Sequence, residues 1–377
     1  MNYLCAKCDI MTEQETSKDL TSQIRIGITH GDLNGIGYEI IIKTLMDRRI
    51  MEFINPIVFG HSKVASYHRK TIDAKDFNFN LIKRTDAANP KRANIINIDE
   101  REVKIDLGVS TPIAGEMAYL SLKQAVEAIE REEIDAIVTA PINKKNIQSD
   151  DFTSPGHTEF LAERHNVKEF LMMMVSGNFK IGVITGHIPL REVPDAINET
   201  LILSKIQIMH DSLQRDFGIQ KPKIAVLGLN PHASDDGLIG TEEKTTIIPT
   251  LKKAFDDGIL VYGPYPADGF FASGQQAKFD GVLAMYHDQG LIPFKTLAFE
   301  SGVNFTAGLP IVRTSPAHGT AYDIAGKNLA DESSMRAAVF LACDIVKNRK
   351  EYDEMNANPL DEWDDDDNNG NNNHRNK

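Results

Sequence analysis

Short apolar runs alternate along this chain with amphipathic stretches of helical period. The runs that are typical of buried strands include residues 24–29, 56–60, 94–98, 135–140, 223–229 and 282–285. Residues 114–133 place their alanine, leucine and isoleucine side chains mainly on one face, which predicts an amphipathic helix. Strands that alternate with helices in this way indicate an α/β protein with a mostly parallel or mixed sheet.

Three of the predicted strands are followed, after a few small or polar residues, by a histidine. These histidines are His187, His232 and His287. Because the carboxyl ends of strands in one sheet converge on one crevice, we expect the three imidazoles near one another. Three neutral imidazoles with an open position suit a divalent metal such as Zn²⁺, Co²⁺, Mn²⁺ or Fe²⁺. The alternative is that each is a structural hydrogen-bonding group, and the role of Asp288, ligand orienter or turn cap, stays open.

A second set of residues is suited to an anion. Lys295 and Arg313 are cations, and the turn Gly156-His157-Thr158 begins a predicted helix whose first N–H groups are free to donate. Arg313 follows two β-branched residues, so we expect it to be held near the sheet. These residues predict a substrate that bears a carboxylate or a phosphate, unless both cations are surface charges. The segment after residue 285 is predicted to be a loop that runs on to Lys295.

Composition and charge narrow the function classes. The 377 residues are 41% hydrophobic and 25% charged, as in an ordinary globular protein long enough for two domains or one large α/β unit. The net charge of −13 argues against a nucleic-acid partner, whose phosphates need a basic face. No apolar run reaches the roughly 18–20 residues of a membrane helix, and the first residues lack the apolar core of a signal peptide. We therefore expect a cytoplasmic protein that binds no membrane.

The two ends of the chain differ from the rest. Residues 1–23 are mostly polar and are predicted to be a disordered leader. Residues 351–377 are predicted to be an acidic disordered tail, because residues 361–377 carry six acids against two bases in a low-complexity run of Asp and Asn. Residues 24–350 are left for the folded unit.

A glycine-rich turn after the first predicted strand raises the question of dinucleotide binding. Gly31, Gly35 and Gly37 are spaced G-x3-G-x-G, whereas the dinucleotide fingerprint is G-x-G-x-x-G. We expect these glycines to let the backbone turn tightly at positive φ. The turn therefore identifies no cofactor-binding residue.

Five motifs occur in an order that is specific to one enzyme family. They are GHTEFLAE, LNPHAS-x-x-G-x-x-GTEE, GPYPAD, MYHDQGL and VNFTAGLPIVRTS-x-x-HGTAYDIAG. With their spacings, they resemble the 4-hydroxythreonine-4-phosphate dehydrogenase family of pyridoxal 5′-phosphate biosynthesis. The resemblance covers the chain from about residue 24 to residue 348, so only the ends fall outside it.

The resemblance implies an architecture. The family has an isocitrate/isopropylmalate-dehydrogenase-like fold, with two α/β domains around a cleft and a mixed sheet. Residues 24–350 would then be a two-lobed catalytic unit, one lobe formed mainly by the middle of the chain and the other by both ends. The resemblance also implies a homodimer with the active site at the subunit interface.

The resemblance further implies roles for individual residues. A divalent metal ion (Zn²⁺, Co²⁺, Mg²⁺ or Mn²⁺) would be held by His187, His232 and His287. The residues implied to contact the substrate are His157, Thr158, Lys295, Asn304 and Arg313. His287 and Lys295 are the expected catalytic residues. The cofactor would be NAD or NADP, bound without the dinucleotide fingerprint.

The implied reaction is oxidation of 4-phosphohydroxy-L-threonine with decarboxylation to 3-amino-2-oxopropyl phosphate. Two segments depart from the family pattern, and both leave the cofactor contacts unassigned. Residues 30–39 read HGDLNGIGYE where many relatives have PGEPAGIGPE, and residues 141–144 read PINK where some have Pro-x-His-Lys. Neither departure changes an implied ligand.

Three other functions remain open from the sequence. A dehydrogenase of phosphorylated threonate or erythronate would use the same metal and cations. A metal-dependent phosphoester hydrolase with three histidines would need an activated water instead of a dinucleotide. The third possibility, a non-catalytic metal-binding protein, would assign no role to Arg313 or to the Gly156-His157-Thr158 turn.

Overall fold

The computed structural model describes residues 23–358, in which strands and helices alternate. The strands are β1 (Ile24–Thr29), β2 (Ile54–Gly60), β3 (Asn80–Ile82), β4 (Asn94–Asn97), β5 (Ala136–Thr139), β6 (Leu171–Ser176), β7 (Phe179–Val183), β8 (Ile224–Leu227), β9 (Val261–Tyr265), β10 (Gly281–Ala284), β11 (Val303–Ala307) and β12 (Arg313–Pro316). The α-helices are α1 (Gly37–Met46), α2 (Ser62–Thr71), α3 (Pro112–Glu130), α4 (His157–Arg164), α5 (Val193–Ala196), α6 (Glu199–Arg215), α7 (Ile248–Asp256), α8 (Ala267–Ala272), α9 (His287–Ala298) and α10 (Ser333–Met355). Within residues 23–358, none of these helices is both long enough and apolar enough to span a bilayer.

The chain separates into two compact units. Unit 1 contains the described residues up to Lys168 together with Ala298–Cys343, and unit 2 contains Glu169–Leu297 and the described residues from Asp344 onward. Each unit has a sheet with both parallel and antiparallel neighbours and helices packed on it. The predicted α/β class with a mixed sheet is therefore confirmed.

In unit 1 the strands follow the order β3-β4-β2-β1-β5-β12-β11, and only β11 is antiparallel to its neighbour β12. The side chains of β2 and β5 are all buried, as in parallel strands that are covered on both faces. β1 and β5 pair in register up to Thr29 and Thr139, and Arg313 of β12 pairs with Ile137 of β5. β12 therefore starts two residues before the carboxyl end of β5.

In unit 2 the strands follow the order β6-β7-β10-β8-β9, with an antiparallel β6–β7 hairpin and parallel pairing elsewhere. Val183 of β7 pairs with Ala284 of β10, and Leu283 of β10 pairs with Val226 of β8. The strands that precede His187, His287 and His232 are thus adjacent, and they end at the same edge of the sheet.

Residues 287–298 are a helix, so the prediction of a loop that runs on to Lys295 is wrong. The sequence suggested a loop because glycine and proline, here Gly290 and Pro293, are the weakest helix formers. In the structure, a Cβ atom at Gly290 would lie 3.1 Å from Cβ of Ala284 and 3.2 Å from Cγ1 of Val183. The glycine therefore lets α9 pack closely on β7 and β10, and this packing outweighs the low helix propensity.

Helix α10 ends at Met355, so the first five residues of the predicted disordered tail, which starts at residue 351, are helical and the prediction is wrong there. Two ion pairs hold its last turns to the end of α6 and the residue that follows it. Arg349 Nε donates to Asp216 Oδ1 at 2.6 Å, and Arg215 Nη2 donates to Asp353 Oδ2 at 2.8 Å. The remainder of the predicted tail and residues 1–22 of the predicted leader lie outside the described residues.

Candidate functional site

Arg313 is buried in unit 1, and its guanidinium has neutral partners. Only 3% of the residue is exposed. Its Nε and Nη2 atoms both donate to Thr139 Oγ1, at 3.1 and 2.7 Å, and Nη2 also donates to His157 Nδ1 at 3.3 Å. Burial lowers the pKa of Arg313 to about 10, while the negative charge of Glu159 acts in the opposite direction. The residue therefore remains a cation at neutral pH. Because a buried cation with neutral partners lacks a counter-charge, it is suited to an anionic ligand.

The sheet of unit 1 explains why Arg313 and Thr139 meet. Arg313 is the first residue of β12 and pairs with Ile137 of β5. Thr139 lies two residues beyond Ile137, and residues two apart on a strand point to the same face. Thr139 is also the last residue of β5, at the end of the strand where ligands bind in open α/β sheets.

His157 is the first residue of α4 and lies against Arg313. Its pKa is held well below the usual range, first by burial and then by the positive charges of Arg313 and Lys144. The ring is therefore neutral at pH 7, and because Nδ1 accepts from Arg313, Nε2 must carry the proton. Nε2 is buried and has no hydrogen-bond partner among the described residues. An unsatisfied buried donor is costly, so this N–H is a candidate to donate to an anion.

The other implied substrate contacts of unit 1 lie on α4 and β11. Thr158 Oγ1 is 3.3 Å from Thr306 Oγ1, and either hydroxyl can be the donor. Asn304 precedes Thr306 by two residues on β11, so the two side chains share a face. Oδ1 of Asn304 is buried without a hydrogen-bond partner in the described part of the chain. The structure thus brings His157 to Arg313, and Thr158 to the strand that carries Asn304.

In unit 2, His187 and His287 lie side by side. Hydrogen bonds from the Ile184 and Thr185 amides to the carbonyls of Ala284 and Met285 continue the β7–β10 pairing past the strand ends. The two rings that follow have centroids 5.3 Å apart and planes inclined by 46°. The sheet pairing therefore accounts for the approach of these two imidazoles.

Asp288 orients the imidazole of His287. Nδ1 of His287 lies 2.7 Å from Asp288 Oδ1. A carboxylate can only accept, so Nδ1 carries a hydrogen, and in the neutral form of the ring the lone pair is then on Nε2. Carboxylates often fix the tautomer of metal-binding histidines in this way. This contact favours the ligand-orienting alternative for Asp288 over the turn cap.

His232 lies on an unusual left-handed turn. His232, Ala233, Ser234, Asp235 and Asp236 all have positive φ, between 46° and 72°. Each non-glycine residue in this conformation costs about 1–2 kcal/mol. Among residues 23–358, no group of three or more His, Cys, Asp or Glu side chains is arranged to hold a metal ion. His187 and His287 are therefore adjacent, whereas the complete three-histidine site predicted from the sequence is not assembled within this range.

Two side chains to which the sequence assigned no role, Gln289 and Glu243, hydrogen-bond to the backbone just after β8 and β10. Gln289 Oε1 accepts from the Met285 amide at 2.7 Å, and its Nε2 donates to the Gly228 carbonyl at 2.6 Å. The buried carboxylate of Glu243 accepts from the amides of Leu229 and Asn230, at 2.8 and 2.7 Å. The one available signal was their place in the HDQG and GTEE motifs. The Gln289–Gly228 contact joins segments 61 residues apart, which a local pattern does not reveal.

Lys295, the remaining implied substrate contact, lies on α9 about two turns after His287 and is exposed.

The glycines of the glycine-rich turn after β1 are needed more for close packing than for positive φ. Of its three glycines, only Gly31 has positive φ, at 67°. A Cβ atom at Gly37 would lie 2.1 Å from the His30 carbonyl oxygen, so that glycine permits close backbone approach.

Comparison with known proteins gives consistent results. Residues 52–342 match the family described as "Pyridoxal phosphate biosynthetic protein PdxA". A 4-hydroxythreonine-4-phosphate dehydrogenase from Bacteroides thetaiotaomicron is 51% identical over 340 residues, which cover 90% of this chain and 93% of that protein. A relative from Oceanobacillus iheyensis, provisionally named D-threonate 4-phosphate dehydrogenase, is 43% identical over 328 residues, covering 86% of this chain and 98% of that protein. The crystal structure of 4-hydroxythreonine-4-phosphate dehydrogenase from Klebsiella pneumoniae is 35% identical, with a TM-score of 0.75, and covers 86% of this chain and 98% of that one.

Proposed function

This chain belongs to the PdxA family of pyridoxal phosphate biosynthetic proteins, and we propose that it oxidises 4-phosphohydroxy-L-threonine to 3-amino-2-oxopropyl phosphate and CO₂ with NAD or NADP. The observation that carries the proposal is the burial of the Arg313 cation. Its hydrogen-bond partners, Thr139 and His157, are uncharged and do not neutralise it. In a chain of this family, such a group supports a substrate with a phosphate and a carboxylate.

The proposed reaction has two steps. In the first, the C3 hydroxyl of the substrate loses a proton and C3 loses a hydride, which the nicotinamide accepts when the cofactor is bound. The product is a 2-amino-3-oxo acid. In the second step the bond between C2 and the carboxylate breaks, CO₂ leaves, and C2 takes up a proton. The net balance is one substrate and one oxidised cofactor to one amino ketone phosphate, one CO₂ and one reduced cofactor.

The residues of unit 1 are proposed to bind the anionic groups of the substrate. Arg313 supplies the charge, and His157 donates from Nε2, which has no partner in the described chain. Thr158 and Asn304 would supply a hydroxyl and an amide nearby. Lys295 is proposed as a further substrate-binding cation on the family resemblance alone. Hydrogen bonds from charged donors to a phosphate are about twice as strong as neutral ones. These residues would hold the substrate and fix its orientation.

The histidines of unit 2 are proposed to hold a divalent metal ion, Zn²⁺, Co²⁺, Mg²⁺ or Mn²⁺. Support comes from the shared sheet edge of His187, His232 and His287, and from the Nε2 lone pair that Asp288 leaves on His287. When bound, such an ion would lower the pKa of the substrate hydroxyl and stabilise negative charge during loss of CO₂. Lys295 is proposed to assist proton transfer.

Three further properties are proposed on the strength of the family. They are a homodimer with its active site at the subunit interface, a cytoplasmic location and the absence of a nucleic-acid partner. The net charge of −13 supports the last of these.

Initial-rate assays would test the function. Purified protein would be mixed with 4-phosphohydroxy-L-threonine, NAD or NADP and each divalent metal in turn, and reduced cofactor would be followed by its near-ultraviolet absorbance. We expect a metal-dependent rise in absorbance and one CO₂ per reduced cofactor. Release of inorganic phosphate without cofactor reduction would show a phosphoester hydrolase instead.

The name of the Oceanobacillus iheyensis relative favours one second candidate, a dehydrogenase of phosphorylated threonate or erythronate. The same anion-binding residues would serve such a sugar acid, which lacks the amino group. Parallel assays with both phosphorylated acids distinguish the candidates. Turnover of the sugar acid alone would eliminate the hydroxythreonine assignment.

A further inference from the structure

We infer that Thr139 is a positioning residue, which aims the Arg313 guanidinium and keeps its charge available to an anion. The inference rests on the proposed function, because the anion in question would be the phosphate or carboxylate of the substrate. Thr139 itself would touch neither the substrate nor the cofactor.

The hydrogen bonds of Arg313 show which edge of the guanidinium is occupied. A guanidinium has five N–H groups. The Nε–H and one Nη2–H donate to Thr139 Oγ1, at 3.1 and 2.7 Å, and Nη2 also donates to His157 Nδ1 at 3.3 Å. The protein thus engages the Nε–Nη2 edge, and within residues 23–358 the hydrogen bonds of Arg313 do not involve Nη1, whose two N–H groups we propose for a ligand.

The chemistry of Thr139 explains why the charge stays available. A carboxylate at this position would form an ion pair with Arg313 and cancel the charge that attracts an anion. A hydroxyl accepts the same two hydrogen bonds and adds no charge. Glu159 on α4 is near enough for its negative charge to act on the pKa of Arg313. Thr139 therefore also opposes rotation of the guanidinium toward Glu159.

The position of the Thr139 hydroxyl is itself fixed. Thr139 is completely buried, and it ends β5, which is paired with β1 on one side and β12 on the other. Its β-branched side chain has few rotamers. A hydroxyl held in this way determines the direction of the guanidinium more closely than a flexible side chain would.

Titration of the metal-free full-length protein with inorganic phosphate, followed by calorimetry, tests this role. Thr139→Val keeps the shape and removes the acceptor, so the Kd for phosphate should rise by about tenfold to a hundredfold. Thr139→Ser keeps a hydroxyl and should remain within about threefold of the wild type. Unchanged phosphate affinity in Thr139→Val would overturn the inference, and so would a wild-type protein that binds no phosphate.

Two other threonines of the same sheet are matched controls. Thr314 follows Arg313 and is buried, but its hydroxyl donates to the Ala338 carbonyl at 2.8 Å. Thr29 pairs with Thr139 in register, and its hydroxyl has no partner within residues 23–358. Thr314→Val and Thr29→Val should bind phosphate as the wild type does. An equal loss of affinity in either would indicate a general packing effect and refute the role of Thr139.

Steady-state kinetics separate this inference from the proposed function. In Thr139→Val the KM for the phosphorylated substrate should rise while kcat changes little. The reason is that the interaction with a correctly oriented Arg313 stabilises the bound substrate and the transition state equally. A fall in kcat with unchanged KM would contradict a positioning role. If the wild type oxidises neither candidate substrate, the proposed function fails, and the phosphate titration still decides the role of Thr139.

Discussion

At the scale of single residues, the proposed anion-binding residue of unit 1, Arg313, has neutral hydrogen-bond partners. The sequence identified Arg313 and His157 by motif and by their positions beside a strand and at a helix start. It did not identify Thr139 or Thr306, because a threonine in an apolar strand is an ordinary β-sheet residue. Thr139 meets Arg313 through the pairing of β5 with β12, and Thr306 meets Thr158 of helix α4; both contacts join segments more than 140 residues apart in sequence.

Replacement of Arg313 by lysine tests the need for a guanidinium. An ammonium cannot donate to both Thr139 and His157 with fork geometry while it also presents N–H groups to a ligand. We expect the KM for the phosphorylated substrate to rise by about tenfold to a hundredfold in Arg313→Lys. Arg25→Lys, at a partly exposed arginine of β1 in the same sheet, is the control. Wild-type KM in Arg313→Lys would exclude a specific guanidinium contact.

Alanine at His187, His232 or His287 should abolish activity and weaken divalent-metal binding, as measured by calorimetry with Zn²⁺ or Co²⁺. Loss of one of three ligands removes a coordinate bond that water replaces poorly. His210→Ala, on α6, is the control. A variant that retains the wild-type rate shows that the replaced histidine is not a ligand.

At the scale of elements, the sequence predicted most strands and helices of residues 23–358 because their apolar periods are regular. It failed at α9, where Gly290 and Pro293 break the pattern, and tertiary packing against β7 and β10 decides the outcome. It also could not predict the left-handed turn at His232, since none of its five positive-φ residues is glycine. Contacts made by Glu243 just before the turn, at Leu229 and Asn230, help to hold this segment.

The left-handed turn predicts a stabilising glycine substitution. Ala233 has φ 48° and ψ 48°, which an alanine adopts at a cost of about 1–2 kcal/mol and a glycine adopts freely. Part of this gain is offset by the greater entropy of glycine in the unfolded chain. We expect Ala233→Gly to raise the free energy of unfolding by up to about 1 kcal/mol in urea denaturation.

The matched control for this substitution is Ala254→Gly. Ala254 is buried in the regular helix α7, where glycine should lower stability by about 1 kcal/mol. Destabilisation by both substitutions would show that the turn does not have this conformation in solution.

At the scale of the whole molecule, unit 1 contains a buried stack of ionisable rings. The ring centroid of Tyr38 lies 5.1 Å from that of His30 on one side and 5.1 Å from that of His68 on the other. Burial lowers the pKa of His30 to about 3 and that of His68 to about 4. Both rings are therefore neutral in the folded protein over the physiological range.

These depressed pKa values predict a loss of stability in acid. Below about pH 6.5 the unfolded chain takes up protons on these histidines and the folded chain does not. The free energy of unfolding should therefore fall by about 1.4 kcal/mol per pH unit for each histidine, down to about pH 4. Urea denaturation between pH 7 and pH 4.5 measures this slope. His30→Leu should reduce this slope by about 1.4 kcal/mol per pH unit, which corresponds to one proton fewer taken up on unfolding. An unchanged slope would exclude His30 as a source of the pH dependence.

The neutral surroundings of Arg313 also bear on how long the protein persists in a cell. A ligand that binds only the folded chain stabilises it by mass action, by about 2.7 kcal/mol at a concentration of 100 times Kd. An anion that offsets the cost of burying this charge acts in that way. Proteases degrade chains from the unfolded population, which becomes smaller as stability increases. The supply of phosphorylated substrate would then set the lifetime of the enzyme as well as its rate, so that abundance would follow demand without a transcriptional signal.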